Sequence, residues 1–318
     1  MEFFKLLFHA FIFPGGIFII CISLLISGID RKLVARMQRR IGPPILQPFY
    51  DILKLIGKEV IIPKYSNKKI FLVMPIVGLV SVCITPLLIP IFNNIYISFN
   101  GDIIFIIYLI TISVIALIVC GINSSSTFGN IGASREAVLL LSLELPMVIS
   151  IISVCIFSGE ILGINNNFLM NSISLAQINQ GSFMFTLKLL PAALAFLMII
   201  PGEAGVIPFD IAEGETEICE GPLVEYSGRY LAILKLTQSI KGFIMSSLFV
   251  SLFLGENISS YKVINIIIFI ILTCIVMFFS ITVVRTVFGR LKINQALKFY
   301  WTIPTILSLI SLILVSYF

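Results

Sequence analysis

Seven carboxylates fall within 23 positions: Glu203, Asp210, Glu213, Glu215, Glu217, Glu220 and Glu225 are seven of the chain's 16 acidic residues. A run of this kind is ordinarily a solvated acidic loop. Three features of GEAGVIPFDIAEGETEICEGPLVEYSGR oppose that reading. The acids alternate with Val206, Ile207, Phe209, Ile211, Ile218, Leu223 and Val224, which ask to be packed. Gly202, Gly205, Pro208, Gly214, Gly221 and Pro222 impose defined turns. Carboxylates packed close together repel, and their pKa values rise toward the range where protons exchange at neutral pH. The favoured reading is a carboxylate cluster that loads and releases protons.

Other charges stand where charge is costly. Glu144 lies near the middle of an uncharged run, and Glu136, eight positions earlier, projects to a nearby face of the same helix. Lys188, Lys235 and Lys241 also fall inside apolar runs, Lys241 deepest. Such groups face a bundle interior or water and mark ion or proton paths. Lys188 and Lys235 have the alternative of snorkelling to an interface. Glu144 and Lys241 are too deep for that and are expected to be paired or hydrated. A second informative stretch, DRKLVARMQRRIGPPILQPFYDILKLIGKEVIIPK, is basic from Arg31 to Arg40 and broken at Gly42-Pro43-Pro44. It then presents Phe49, Ile52, Leu53, Leu55 and Ile56 on one helical face, with Asp51, Lys54 and Lys58 toward another. Two readings stay open: an interfacial anchor on anionic lipid, or a platform for a soluble partner, since fixed turns serve docking rather than lipid binding.

Metal and nucleophile chemistry have little to work with. His9 is the single histidine, and the six cysteines show no ligand spacing. No metal or cofactor site is expected on this chain, and no nucleic-acid partner.

The elements that position these groups are membrane helices. Of 318 residues, 58% are hydrophobic and 12% charged, and the mean hydropathy is +1.11. A soluble domain carries about a quarter charged residues, and about 20 apolar residues cross a bilayer as a helix. The sequence predicts an all-α polytopic membrane protein of about eight spans: 4–29, 70–92, 103–122, 136–158, 183–201, 230–254, 261–286 and 299–317. The first run reads as a retained span rather than a cleaved signal, and 159–182 as a plain polar connection. Residues 1–318 form one integral membrane domain, with no soluble insertion. If the N-terminus faces outside, 16 of the 21 basic residues lie on the inner side, which is the sense of the positive-inside rule. The acidic stretch and the basic stretch, about 202–229 and 30–69, are then both cytoplasmic.

With these residues in view, the chain resembles the family of respiratory complex I subunit 1, which includes the equivalent membrane subunit of energy-converting [NiFe]-hydrogenases. The acidic loop follows that family's pattern without a gap at Glu203, Pro208, Phe209, Asp210, Glu213, Gly214, Glu215, Glu217, Gly221, Glu225 and Tyr226. The basic stretch matches at Arg36, Gln38, Arg40, Gly42, Pro43, Gln47, Pro48, Asp51, Lys54, Leu55, Lys58, Glu59 and Pro63. Ser134-Arg135-Glu136 through Glu144-Leu145-Pro146 is similar to the family's fourth-span glutamate element. The compressed GPPILQP, and Val206 where complex I members carry arginine, resemble the hydrogenase-type branch. Glu213-Gly214-Glu215 is closer to the complex I form.

That resemblance implies a subunit without a redox centre, in a multi-pass position in the cell membrane. Its [NiFe] centre and [4Fe-4S] clusters would sit on partners: a [NiFe]-hydrogenase large subunit and a small iron–sulfur subunit. Antiporter-like membrane subunits and the lipid bilayer would be its other neighbours. Arg36, Gln38, Arg39, Arg40, Gly42, Pro43, Gln47, Asp51 and Lys54 would shape the docking face. Glu203, Asp210, Glu213, Glu215, Glu217 and Glu225 would open a lateral proton path, continued by Glu136, Glu144 and Lys241. The alternatives are a quinone-reducing complex I subunit and a stand-alone ion transporter.

Overall fold

The structure, a computed structural model, describes residues 9, 11–13, 15–90, 98–163, 168–255 and 262–317; side chains at 215, 216, 262 and 263 lie outside it. Most of the span expected at 4–29 is therefore described only from Gly16, and parts of the expected 70–92 and 261–286 spans also fall outside.

The described residues form helices in this order: α1 Gly16–Met37, α2 Gln47–Ile56, α3 Lys68–Ile84, α4 Asp102–Asn123, α5 Thr127–Leu162, α6 Met170–Gln180, α7 Leu190–Glu203, α8 Glu215–Ile218, α9 Gly228–Phe249, α10 Lys262–Met277 and α11 Ile293–Tyr317. A π-helical turn extends α9 to Leu254, and another links α10 to a last helical stretch ending at Val287. Six of these helices are long and apolar enough to cross a membrane, and α7 is a shorter apolar helix. An apolar helix in lipid satisfies its own backbone groups, so long uncharged runs fold this way before any packing is considered. The chain is a multi-pass helical membrane protein.

Burial separates an axis from a rim. In α9, 89% of the most apolar stretch is buried, against 33% for α11 and 39% for α10. Around α9 stand α1, α3, α7 and α10, while α5 lies between α4 and α11. The helix expected at 136–158 is α5, which runs 36 residues, about 54 Å at 1.5 Å per residue, and so reaches beyond a hydrocarbon core of about 30 Å. The connection read as plain polar, 159–182, contains α6. Asp102 fastens its start by accepting from Met170 N at 2.9 Å, and Gln177 Nε2 donates to the Leu252 carbonyl at 2.8 Å.

At the opposite end four segments meet. Ile61 N donates to Ser227 Oγ at 2.8 Å, Asn67 and Asn123 exchange hydrogen bonds, and Leu291 N donates to the Pro208 carbonyl at 3.0 Å. These are the segments whose basic residues the charge count placed on one side. Gly228 lets two of these segments come close: its φ is +59°, and a Cβ there would stand 2.7 Å from the Lys58 and Glu59 carbonyl oxygens.

Candidate functional site

The acidic stretch does not hang in solvent. Phe209, Ile211, Ala212, Ile218 and Leu223 are buried, so its apolar half folds onto the bundle and draws the carboxylates with it. Gly132 of α5 lets Pro222, Gly221 and the Ala212 carbonyl come against that helix. Phe71 of α3 stacks on Tyr226 with centroids 4.0 Å apart. Burial of about this many apolar side chains is what holds mutually repelling acids in place.

Each carboxylate then receives a distinct environment. Glu203, at the end of α7, is 2% exposed and lies 3.4 Å from Nζ of Lys241 on α9. Asp210 is gripped by the Arg290 guanidinium at 2.6 and 2.8 Å, a two-point, charge-assisted contact. Glu213 accepts from Gln238 Nε2 at 2.9 Å. Desolvation pushes Glu213 up to about 7, reinforced by Glu136 and Asp210 and opposed by Gln238 and Lys241. Glu217 departs from the expected rise: its exposed carboxylate takes a hydrogen bond from Arg135 at 2.8 Å and is held below the usual range. A nearby cation outweighs repulsion when the group stays in water. Glu220, with φ +69°, pairs with Lys235 at 3.8 Å. The Glu215 side chain lies outside the described residues. Glu225 is half-buried and lines neither of the two cavities below.

Those cavities meet at the cluster. A narrow cleft is walled by Glu136, Asp210, Glu213, Thr237, Gln238 and Lys241. A wider cavity runs between α1, α9, α10 and the loop, walled by Asp30, Arg31, Glu220, Lys235, Arg285 and Arg290. Gly205, Asp210, Glu213 and Gln238 border both. Glu213 thus stands at the boundary, neutral or charged near pH 7, between a wide polar cavity and the Glu136–Lys241 cleft.

Glu136 and Glu144 diverge. Eight residues along a helix leave them about 80° apart around the axis. Glu136 faces the cleft, while Glu144 turns to α4, where Thr111 Oγ1 donates to it at 2.9 Å. Lys188 pairs at the other end of the bundle with Glu160 at 3.9 Å. Residue types alone did not single out Gln238, Arg290 or Thr111. Gln238 had a signal, since Lys235, Gln238 and Lys241 recur every three positions along α9. Arg290 registered only as one more basic residue.

The basic stretch divides in two. Arg31 Nη1 and Gln47 Nε2 donate to Asp51 at 3.1 and 2.9 Å, tying α1 to α2. Arg36 in the last turn of α1, Gln38, Arg39 and Arg40 just beyond it and Lys54 of α2 are exposed, and Arg39 and Gly42 adopt φ of +59° and +74°. Tyr50, Leu53 and Ile56 expose one apolar edge of α2. Among the described residues no group of three or more His, Cys, Asp or Glu could hold a metal ion.

Comparison with known proteins follows the same lines. The family described as NADH dehydrogenase matches residues 11–316. Hydrogenase-4 component C of Escherichia coli (strain K12) is 34% identical over 245 residues, 77% of this chain and 75% of that protein. A subunit of the NADH-quinone oxidoreductase of Orientia tsutsugamushi (strain Boryong) is 32% identical over 73% of this chain and 65% of its own length. The corresponding NADH-quinone oxidoreductase subunit from Dehalococcoides mccartyi (strain ATCC BAA-2266 / KCTC 15142 / 195) is 30% identical over 94% and 83%. A chain from the membrane-bound sulfane sulfur reductase, an archaeal respiratory membrane complex, superposes with a TM-score of 0.87 at 28% identity, covering 99% of both chains.

Proposed function

Because the chain belongs to the NADH dehydrogenase family, we propose that it is the membrane-anchoring and coupling subunit of a multisubunit energy-converting [NiFe]-hydrogenase. It docks a peripheral iron–sulfur and [NiFe] arm and links ferredoxin-dependent hydrogen evolution to proton or sodium translocation. The observation that carries the coupling role is the cleft in which Glu136, Glu213 and Lys241 face one another, with Glu213 bordering the wider cavity. The hydrogenase branch draws support from the hydrogenase-4 relative, the short GPPILQP turn and Val206.

In this reading the N-terminus faces outside, and the joined ends of α1, α2, α9 and the acidic loop form the cytoplasmic docking surface. Arg36, Gln38, Arg39, Arg40 and Lys54 meet the peripheral arm there. The [NiFe] centre and [4Fe-4S] clusters sit on those partners and supply the electron transfer. This chain contributes charge. When a charge changes at the docking surface, Glu213 crosses its titration point and gains or loses a proton. Lys241 and Glu136 receive the altered field, and Glu203 shares Lys241 with them. Glu144, held by Thr111, continues the path toward antiporter-like neighbours.

A second reading draws on the wider cavity between α1, α9 and α10: a complex I-type subunit that takes a quinone headgroup there. Turnover of isolated membranes with ferredoxin and hydrogen, against NADH and quinone, separates the two. Hydrogen evolution that depends on this chain supports the first. Quinone reduction without hydrogen evolution overturns it.

A further inference from the structure

Gln238 of α9 is half-buried where the two cavities meet, and it borders both together with Glu213. Its Nε2 donates to Glu213 Oε2 at 2.9 Å. The amide lies against Gly205, where φ is +62° and a Cβ would stand 3.1 Å from Nε2. A side chain at 205 would press on the amide, so the turn after α7 leaves it room. The neighbouring acids are held differently. Asp210 is paired with Arg290, Glu220 with Lys235, Glu203 with Lys241 and Glu217 with Arg135. On the α1 side of the wider cavity, Asp30 is paired with Arg285 and Arg31 with Asp51. Glu136 of α5 faces Glu213 across the cleft. Among the described acids of the loop that have a side-chain partner, Glu213 is the one held by a neutral group. A cation beside a carboxylate favours the ionised form, and a dry apolar neighbour favours the neutral form. An amide locks neither: its NH2 donates to a carboxylate, and its C=O accepts from a carboxyl O–H.

We propose that Gln238 is the residue that keeps Glu213 exchangeable, donating to its carboxylate and, with the amide turned over, accepting from its carboxyl. When Glu213 gains a proton from the wider cavity it becomes neutral, its new O–H points to the amide oxygen, and no electron moves. Gln238 is a positioning residue, acting through Glu213. Lys235, Gln238 and Lys241 follow one another at intervals of three along α9, so the amide interrupts a row of cations at the one place where a cation would hold Glu213 ionised. The pairing with both forms of Glu213 stands on the observed hydrogen bond and on amide chemistry. Its consequence for ion yield rests on the function proposed above.

The test is infrared difference spectroscopy of the whole purified complex, titrated with pH, on Gln238→Lys and Gln238→Leu. The carboxyl C=O band lost in Glu213→Gln identifies Glu213, and its midpoint with Gln238 in place falls at about 7. Gln238→Lys sets an ammonium beside the carboxylate and moves the midpoint down by roughly 1–3 pH units. Gln238→Leu removes a hydrogen bond that favours ionisation and moves it up. A merely structural role gives no such opposite shifts. Midpoints that stay put, or that move the same way in both variants, overturn the proposal. So does loss of assembly in both, which would make Gln238 a structural prop; where one variant alone fails to assemble, the direction of shift in the other decides. In proteoliposomes, the pH at which ions moved per hydrogen fall away follows the midpoint of each variant. If the midpoints move apart and the ion yield does not follow, the role of Gln238 stands and the proton-path reading falls.

Discussion

At the scale of single residues, the carboxylates differ because their surroundings differ. Asp210 has a guanidinium, Glu217 has a guanidinium at an exposed position, and Glu213 has an amide in a half-buried place between two cavities. The consequence for Glu213 is a signed pH dependence. A carboxyl raised from 4.5 to about 7 by folding binds its proton more tightly in the folded state. Its stabilising contribution is complete below pH 4.5 and is lost as pH rises through about 7. Thermal unfolding of the complex between these values therefore shows a downward slope for the wild type, flattened in Glu213→Gln; equal slopes would exclude a raised Glu213. The Glu203–Lys241 pair makes a second prediction. Lys241→Met strands a buried carboxylate at a cost of about 3–5 kcal/mol, and adding Glu203→Gln recovers most of it. Unfolding midpoints that ignore either change would remove the pair from the core.

At the scale of elements, helices were legible and their ends were not. Long apolar runs predicted α4 and α9 closely, because hydrocarbon leaves the backbone no other choice, while α11 begins at Ile293, six residues before the expected 299. The excess length of α5 was hidden, since Gly129, Ser134 and Arg135 read as a polar loop until the acidic stretch packed on them. The helix α6 was missed because Asn171, Gln177 and Asn179 blur any periodicity, and its partners, Asp102 and the end of α9, are distant in sequence. For the site, carboxylate identity was visible from spacing. The selection of partners was not, since Arg290 lies 80 positions from Asp210 and only the fold joins them. The junction at Gly228 carries the element-scale prediction. Gly228→Ala adds a strained φ and a clash with the Lys58 and Glu59 carbonyls, costing about 1–3 kcal/mol. Affinity purification through the variant should recover the membrane subunits with the peripheral arm depleted. Full recovery of that arm would show that residues 58–61 take no part in docking.

At the scale of the whole molecule, one end of the bundle collects the turns, the exposed arginines and the entry to the cleft. The cleft's acids lie between that end and the apolar interior. The account therefore joins docking and ion movement in one subunit while leaving electron transfer to its neighbours. The central claim is tested by reconstituting the whole complex in proteoliposomes and counting ions moved per hydrogen evolved from reduced ferredoxin. The account predicts turnover-linked ion movement in the wild type, and a loss of at least tenfold in Glu136→Gln and in Glu213→Gln, with hydrogen evolution retained in the presence of an uncoupler. Undiminished ion movement in both variants, or ion flux from this chain alone without any redox partner, would contradict it.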